Sequence, residues 1–341
     1  MMNKRITIPA GTEYLSDEMT SLPANCLFDK GKVGCGGTTI AIKDKNPTVI
    51  VVPFIPLIDS KVSQHNNLFG VMGGVSDTEI TEYLKHSRIP KIMTTYDSLP
   101  KVMKLINPKD FNLLVDEYHL LFTQYSFRGD SAIKEVLRRY KEFKEYCFMT
   151  ATELEEEFVL DELVDLPIVS AVWEDAREVT IHSIKCTNGV KSTVVNRVNE
   201  FIKGTVEGNG YFFVNSVDFI KDIVKACNLN NENARAIWGK SNNKKVGLIK
   251  SDSTSQAKKI NFFTSTCFEG CDFYDEDARI HIISDGTKAH TLLDISTSLQ
   301  QIAGRVRNTK YWENINHVFT TTRYNNNLSY DEYRVHITKT I

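Results

Sequence analysis

A chain of 341 residues with 41% hydrophobic content can bury two ordinary cores, and a net charge of -2 excludes a generally basic nucleic-acid coat while leaving room for a local channel. No apolar run approaches the ~20 residues that span a bilayer, and no basic segment leads into an apolar one at the N-terminus, so the expectation is a cytoplasmic protein without a membrane partner. The seven cysteines are odd in number and widely spread, which speaks against a disulfide framework, and Cys267 and Cys271 lack a further ligand at zinc spacing.

In chain order, residues 25–28 read as a short strand running into the glycine-rich segment 31–38 (GKVGCGGT), and residues 48–52 as a β-branched strand ended by Pro53. Residues 70–77, with Gly73 and Gly74, read as a loop. The apolar residues 91–93 precede a loop at 94–99, and residues 111–115 suit a strand buried on both faces, with Asp116 and Glu117 at its carboxyl end. Residues 131–145 are helix-like, 148–149 strand-like, and 154–166 acidic and helical at their start. Residues 170–180 lack an apolar period and read as the hinge, which sets the expected domains at 1–172 and 173–341. Beyond it, strands at 211–214 and 280–283 and a helix at 217–227 continue the alternation, and residues 333–338 alternate like an edge strand. This order of short β-branched runs and helices predicts α/β architecture with mainly parallel sheets, and the absence of a fixed short period excludes a solenoid.

Four segments carry chemistry. A phosphate loop of the form GxxxxGK[ST] surrounds phosphates with backbone N–H groups while its lysine reaches the terminal oxygens. Here Gly31 and Gly36 stand at the glycine places and Thr38 where a magnesium-binding hydroxyl belongs, with Gly34, Cys35 and Thr39 completing the cradle. Gly37, however, occupies the place of the lysine, which removes a point charge from the developing phosphate charge. Lys32, and less directly Lys30, lie close enough in sequence to fill that gap. Lys32 is the favoured candidate, at the position where the deviant loops of partitioning ATPases carry an extra lysine. Asp116 would hold Mg2+ through water, Glu117 would orient or deprotonate an attacking water, and His119 would face the cleft. Two carboxylates directly after a buried strand carry a desolvation cost unless they meet a cation.

Residues 116–119 (DEYH) resemble the DExH box of superfamily-two helicases, and the other segments fall in that family's order. Residues 147–152 (CFMTAT) resemble the S/T-A-T segment, with Thr150 and Thr152 coupling hydrolysis to movement. Residues 264–272 (TSTCFEGCD) resemble the fifth motif, with Gly270 and Asp272 toward the nucleotide and Thr264 contacting the nucleic-acid backbone. Residues 301–307 (QIAGRVR) resemble the sixth, QxxGRxxR, in which Gln301, Arg305 and Arg307 complete the catalytic site. The family's last arginine would fall at Asn308, so whether Arg305 or Arg307 is the finger stays open. The GRVR variant is similar to viral origin-binding helicases and related phage proteins. Thr94 and Thr95 resemble residues that touch the tracking strand, and Pro53 resembles the start of another such segment.

This resemblance, covering residues 25 to 310, implies two RecA-like domains with a nucleotide cleft between them, and ATP and Mg2+ as cofactors. It implies nucleic acid as partner, with DNA favoured over RNA, and contact with replication or recombination proteins. The favoured function is an ATP-dependent DNA helicase or translocase. A second reading is a non-hydrolysing nucleic-acid-binding protein that keeps the fold; a third, a partitioning-type ATPase, fits poorly with a sixth motif in a second domain. Retained Asp116, Glu117, Thr152 and Arg305 favour hydrolysis. Lys244, Lys245, Lys258 and Lys259 could supply part of a basic patch but read more simply as a solvated face, and Trp173, Trp238 and Trp312 read as packing residues.

Overall fold

The computed structural model describes residues 4–124, 129–152, 159–175, 178–239, 246–268, 271–293, 298–321 and 329. Their strands form two sheets. The first contains β1 (Lys4–Ile8), β2 (Cys26–Asp29), β3 (Thr48–Val52), β4 (Leu68–Val71), β5 (Lys91–Thr95), β6 (Asn112–Asp116), β7 (Glu145–Thr150) and β8 (Ile168–Trp173), in the order β1-β8-β2-β7-β6-β3-β5-β4. The second contains β9 (Thr180–Lys185), β10 (Asn209–Phe213), β11 (Ala234–Ile237), β12 (Ile260–Phe263), β13 (Ala278–Asp285) and β14 (Asn314–Thr320), in the order β11-β12-β10-β13-β14-β9. Neighbouring strands are parallel in both sheets. Crossover helices connect them: α1 (Gly37–Lys43), α2 (Ile55–Gln64), α3 (Asp77–His86), α4 (Leu99–Met103), α5 (His119–Gln124) and α6 (Gly129–Arg139) in the first unit, α7 (Lys191–Lys203), α8 (Val217–Ala226) and α9 (Gln300–Ala303) in the second. This is the α/β architecture of two RecA-like domains.

The unbroken apolar runs follow from burial on both faces. Along β3, Val49 and Val51 face one core with Leu113 and Val115, while Ile50 and Val52 face the other with Leu114 and Met93. In the second sheet Phe212 and Phe262 point to one side and Tyr211, Phe213 and Phe263 to the other.

Three segments differ from their sequence reading. Residues 170–173, read as hinge, are the end of β8, where Ser170 pairs with Arg5 and Trp173 with Ile8. β8 lies between β1 and β2, and its partners come from the far N-terminus, so the local pattern gave no signal. Gly70 and Val71, read as loop, belong to β4; a Cβ on Gly70 would stand 2.7 Å from Ile58 Cγ2, so the glycine is there to seat α2. The helix expected to 145 ends at Arg139, and a turn leads into β7 at Glu145. Lys244, Lys245, residues 333–338 and part of 154–166 lie outside the described residues.

Lys91 is a polar anchor in this frame. It is 1% exposed, and its ammonium donates to Ala41 O (2.7 Å), Asn46 O (2.6 Å) and Thr48 Oγ1 (2.9 Å). It thereby satisfies a carbonyl of the last turn of α1 and ties that helix to β3 and β5. Replacing it by methionine strands those acceptors. Lys91→Met is expected to lower stability by about 2–4 kcal/mol, measured as an earlier urea midpoint with the far-ultraviolet spectrum retained.

Candidate active site

Open parallel sheets bind ligands at the carboxyl ends of their strands. At that edge of the first sheet stand Asp29 and Lys30 after β2, Asp116 and Glu117 after β6, and Thr150 to Thr152 after β7. The Asp29 carboxylate accepts the Gly31 N–H at 2.8 Å, and the Lys30 N–H donates to Thr150 O at 2.8 Å, so the loop leaves the sheet on fixed bonds. Gly31, Gly34 and Gly36 all have positive φ, at 66°, 72° and 84°. Space as well as conformation excludes a side chain at Gly31, where a Cβ would lie 2.4 Å from Ala171 O. Buried Cys35 accepts the Leu15 N–H through its carbonyl at 2.8 Å, and Tyr14 packs on Gly36. Gly37 and Thr38 open α1 with Thr39 behind them, and the Thr38 hydroxyl donates to Asp116 Oδ2 at 2.6 Å. Thr38 and Asp116 thus present hard oxygen donors side by side, the ligand chemistry that Mg2+ takes.

Glu117 is 5% exposed and holds φ at 51°, a conformation few side-chain-bearing residues adopt. Its Oε1 lies 3.1 Å from Lys30 Nζ, which also stands 3.6 Å from Asp116 Oδ1. Its Oε2 accepts from Gln301 Nε2 at 3.1 Å, and the same amide donates to Thr152 Oγ1 at 2.9 Å. Thr150 Oγ1 accepts the Thr152 N–H at 3.0 Å and lies 2.9 Å from His119 Nδ1, which is 3.5 Å from Glu117 Oε2. Glu117, Gln301, Thr152, Thr150 and His119 therefore form one hydrogen-bonded chain whose ends, His119 and Glu117, stand 3.5 Å apart. Burial disfavours charge on Glu117, but Lys30, His119 and Arg305 outweigh it and hold the carboxyl below its usual range. Burial likewise disfavours charge on Lys30, and the facing Glu117 and Asp116 carboxylates outweigh it and raise the ammonium above its ordinary value. Both directions keep the pair ionised at neutral pH.

The two arginines separate. Arg305 is 3% exposed, and its Nε and Nη2 donate to O and Oε1 of Gln301, each at 2.9 Å. It fixes the amide so that the NH2 group faces Glu117, and burial draws its guanidinium below its usual value. Arg307 instead lies across the phosphate loop. It bonds Asp272 Oδ1 through Nε (3.0 Å) and Nη2, and its Nη1 donates to Val33 O at 3.3 Å. Its Nη1 stands 1.8 Å from where a Gly34 Cβ would be.

Lys32, expected in the gap left by Gly37, is not there. Its ammonium lies 4.4 Å from the centre of the Trp173 ring, and Lys30 occupies the cleft. The reason is local: the Trp173 indole N–H donates to Lys30 O at 2.9 Å and offers Lys32 an aromatic face. The sequence marks Trp173 only as a packing residue; its partner is reached through β8, which local pattern does not reveal. Pro53, Thr94, Thr95 and Thr264 stand at the carboxyl ends of β3, β5 and β12, outside the Glu117 hydrogen-bond set. Thr264 Oγ1 is turned to Ile237 O at 3.4 Å. Gly270 lies outside the described residues. A cavity of about 260 Å³ opens at the opposite edge of the first sheet, between Leu22, Asp44, Asn46, Asn112 and Glu145, away from these groups.

No family model and no curated protein sequence matches the chain. Solved structures do. The chain is similar to Mycobacterium smegmatis helicase Lhr bound to ssDNA and AMP-PNP, at 14% identity and TM-score 0.53, over 87% of this chain and 44% of that one. It is similar to S. cerevisiae Dbp5 bound to RNA and ADP BeF3, at 10% identity and TM-score 0.57, over 93% and 82%. It is similar to the DEAD-box helicase Mss116 bound to ssRNA and UDP-BeF, at 12% identity and TM-score 0.60, over 93% and 77%. The chain thus spans less than half of the Lhr chain it matches and most of the other two. At these identities the likeness is one of fold: the chain shares with these helicases an arrangement of two RecA-like domains.

The arginines give a stability test. Arg305→Ala leaves buried Gln301 acceptors without their donor and should lower stability by about 2–4 kcal/mol. Arg307→Ala removes a partly exposed contact and should cost about 1 kcal/mol or less. Urea unfolding of the two variants beside the wild type measures the difference.

Proposed function

We propose that this chain is a nucleic-acid-dependent ATPase, a helicase or translocase acting on DNA in replication or recombination, with residues 1–172 and 173–341 as its two motor domains. The observation that carries the reading is Glu117: a buried carboxylate kept ionised by Lys30 and held by Gln301 from the second sheet. A site that only bound nucleic acid would have no use for a charged base joined across two domains.

In this reading the backbone of residues 31–39 cradles the triphosphate, and Thr38 and Asp116 hold Mg2+, which when bound neutralises phosphate charge. Glu117 takes a proton from the attacking water as its oxygen bonds to the terminal phosphorus and the bond to the leaving diphosphate breaks. Arg307 is the finger, since it is the arginine that reaches the phosphate loop, while Arg305 positions Gln301. The hydrogen-bonded chain through Thr152, Thr150 and His119 senses the state of Glu117 and couples it to movement. Asp272 and Gly270 are assigned to nucleotide binding in this reading. Pro53, Thr94, Thr95 and Thr264 serve the nucleic-acid track. The preference for DNA rests on the GRVR segment; solved structures of this fold are bound to ssDNA, a three-way DNA junction and RNA. A cytoplasmic location follows from the same reading.

Gly37 in the lysine's place favours the alternative, a nucleic-acid-binding protein without hydrolysis, and one assay separates the two. Phosphate release should rise on addition of single-stranded DNA, and Glu117→Gln should lower it about a hundredfold or more while leaving triphosphate binding intact. Binding of nucleic acid without hydrolysis, across single- and double-stranded DNA and RNA, establishes the alternative instead.

A further inference from the structure

The phosphate loop has glycine where its lysine should stand, and the molecule shows where that charge went. A Cβ on Gly37 would lie 2.6 Å from Met149 Sδ, 3.0 Å from Met149 Cε and 3.6 Å from Lys30 Cδ. The space a lysine stem would need at Gly37 is therefore filled by Met149 and bordered by the stem of Lys30. Lys30 directly follows β2, seven residues before Gly37, and enters the cleft from the sheet. We infer that Lys30 is the phosphate-contacting lysine of this site, delivered by the strand that enters the loop instead of by the helix that leaves it.

Three observations carry this. The backbone of Lys30 is fixed at both polar groups: its N–H donates to Thr150 O at 2.8 Å, and its carbonyl accepts from Trp173 Nε1 at 2.9 Å and from the Lys32 N–H at 2.8 Å. The side chain is then aimed inward, 5% exposed, and its ammonium stands between Glu117 Oε1 and Asp116 Oδ1, against the residues that flank Thr38. Lys32, the other cation of the loop, is turned to the Trp173 ring. An ammonium is a compact charge with three donors, so it can hold a phosphate oxygen while keeping one carboxylate partner. Without nucleotide the same ammonium bridges the two carboxylates; a triphosphate competes for it, and Glu117 is freed toward water as the phosphate arrives.

The inference rests on the nucleotide-hydrolysis reading, and the test separates the two. Lys30→Met, Lys32→Met, Glu117→Gln and the charge-balanced Lys30→Met/Glu117→Gln are compared by circular dichroism and melting, then by equilibrium binding of a fluorescent non-hydrolysable triphosphate and its diphosphate with Mg2+, and by phosphate release. Loss of a charge-assisted contact predicts that Lys30→Met weakens triphosphate binding about tenfold or more, with a smaller effect on diphosphate, and stops hydrolysis. Lys32→Met should bind within about threefold of wild type, since it gives up only an aromatic contact. If Lys30→Met alone is unfolded, the double variant against Glu117→Gln reads the same loss. Triphosphate affinity unchanged by removal of Lys30 in a protein that still hydrolyses overturns the inference and leaves the reading standing. A wild type that binds no nucleoside triphosphate overturns both.

Discussion

Asp116 ends a strand buried on both faces and Glu117 follows it, and carboxylates in that place carry a desolvation cost that cations and donors must offset. That requirement organises the centre of the molecule. The cation comes from the residue after β2, the hydroxyl from the start of α1, and an amide from α9, between β13 and β14. Each is itself held by a further bond, Lys30 through its backbone and Gln301 through Arg305. The two domains are therefore joined at a carboxylate that takes its cation from one and a hydrogen-bond donor from the other.

The strained backbone of Glu117 belongs to the same arrangement. A left-handed conformation in a glutamate costs on the order of 1 kcal/mol or more, and it persists where the surroundings over-determine it. Here Oε1 and Oε2 are bonded to groups from opposite domains, and the Glu117 N–H is taken by Asp116 Oδ1 at 3.0 Å. The turn aims the carboxylate across the cleft instead of along the strand.

Much of this was legible in the residues themselves. Apolar runs of four or five residues marked the inner strands because burial on both faces leaves no polar alternation, and the order of the motifs groups Glu117, Thr152 and Gln301, which hydrogen bonds join. What was not legible depended on pairings distant in sequence. Nothing local to Trp173 tells that β8 joins β1 and β2, and so nothing tells that its indole turns Lys32 away and leaves the cleft to Lys30. Nothing in Gly70 tells that Ile58 presses on it. The arginines were ambiguous for the same reason: their spacing fits one pattern imperfectly, and only the packing distinguishes one sunk into Gln301 from one laid over Val33.

Trp173 closes β8 and is the last strand residue before the chain passes to β9, yet its side chain is bonded to the carbonyl of Lys30 and covered by Lys32. The connector between the two sheets is thus fastened at its root to the glycine-rich loop. The 2.9 Å bond means that the connector cannot leave its place without the loop giving way or the bond breaking. Pivot and latch share one pin, so the position of the connector and the shape of the loop are one mechanical coordinate instead of two.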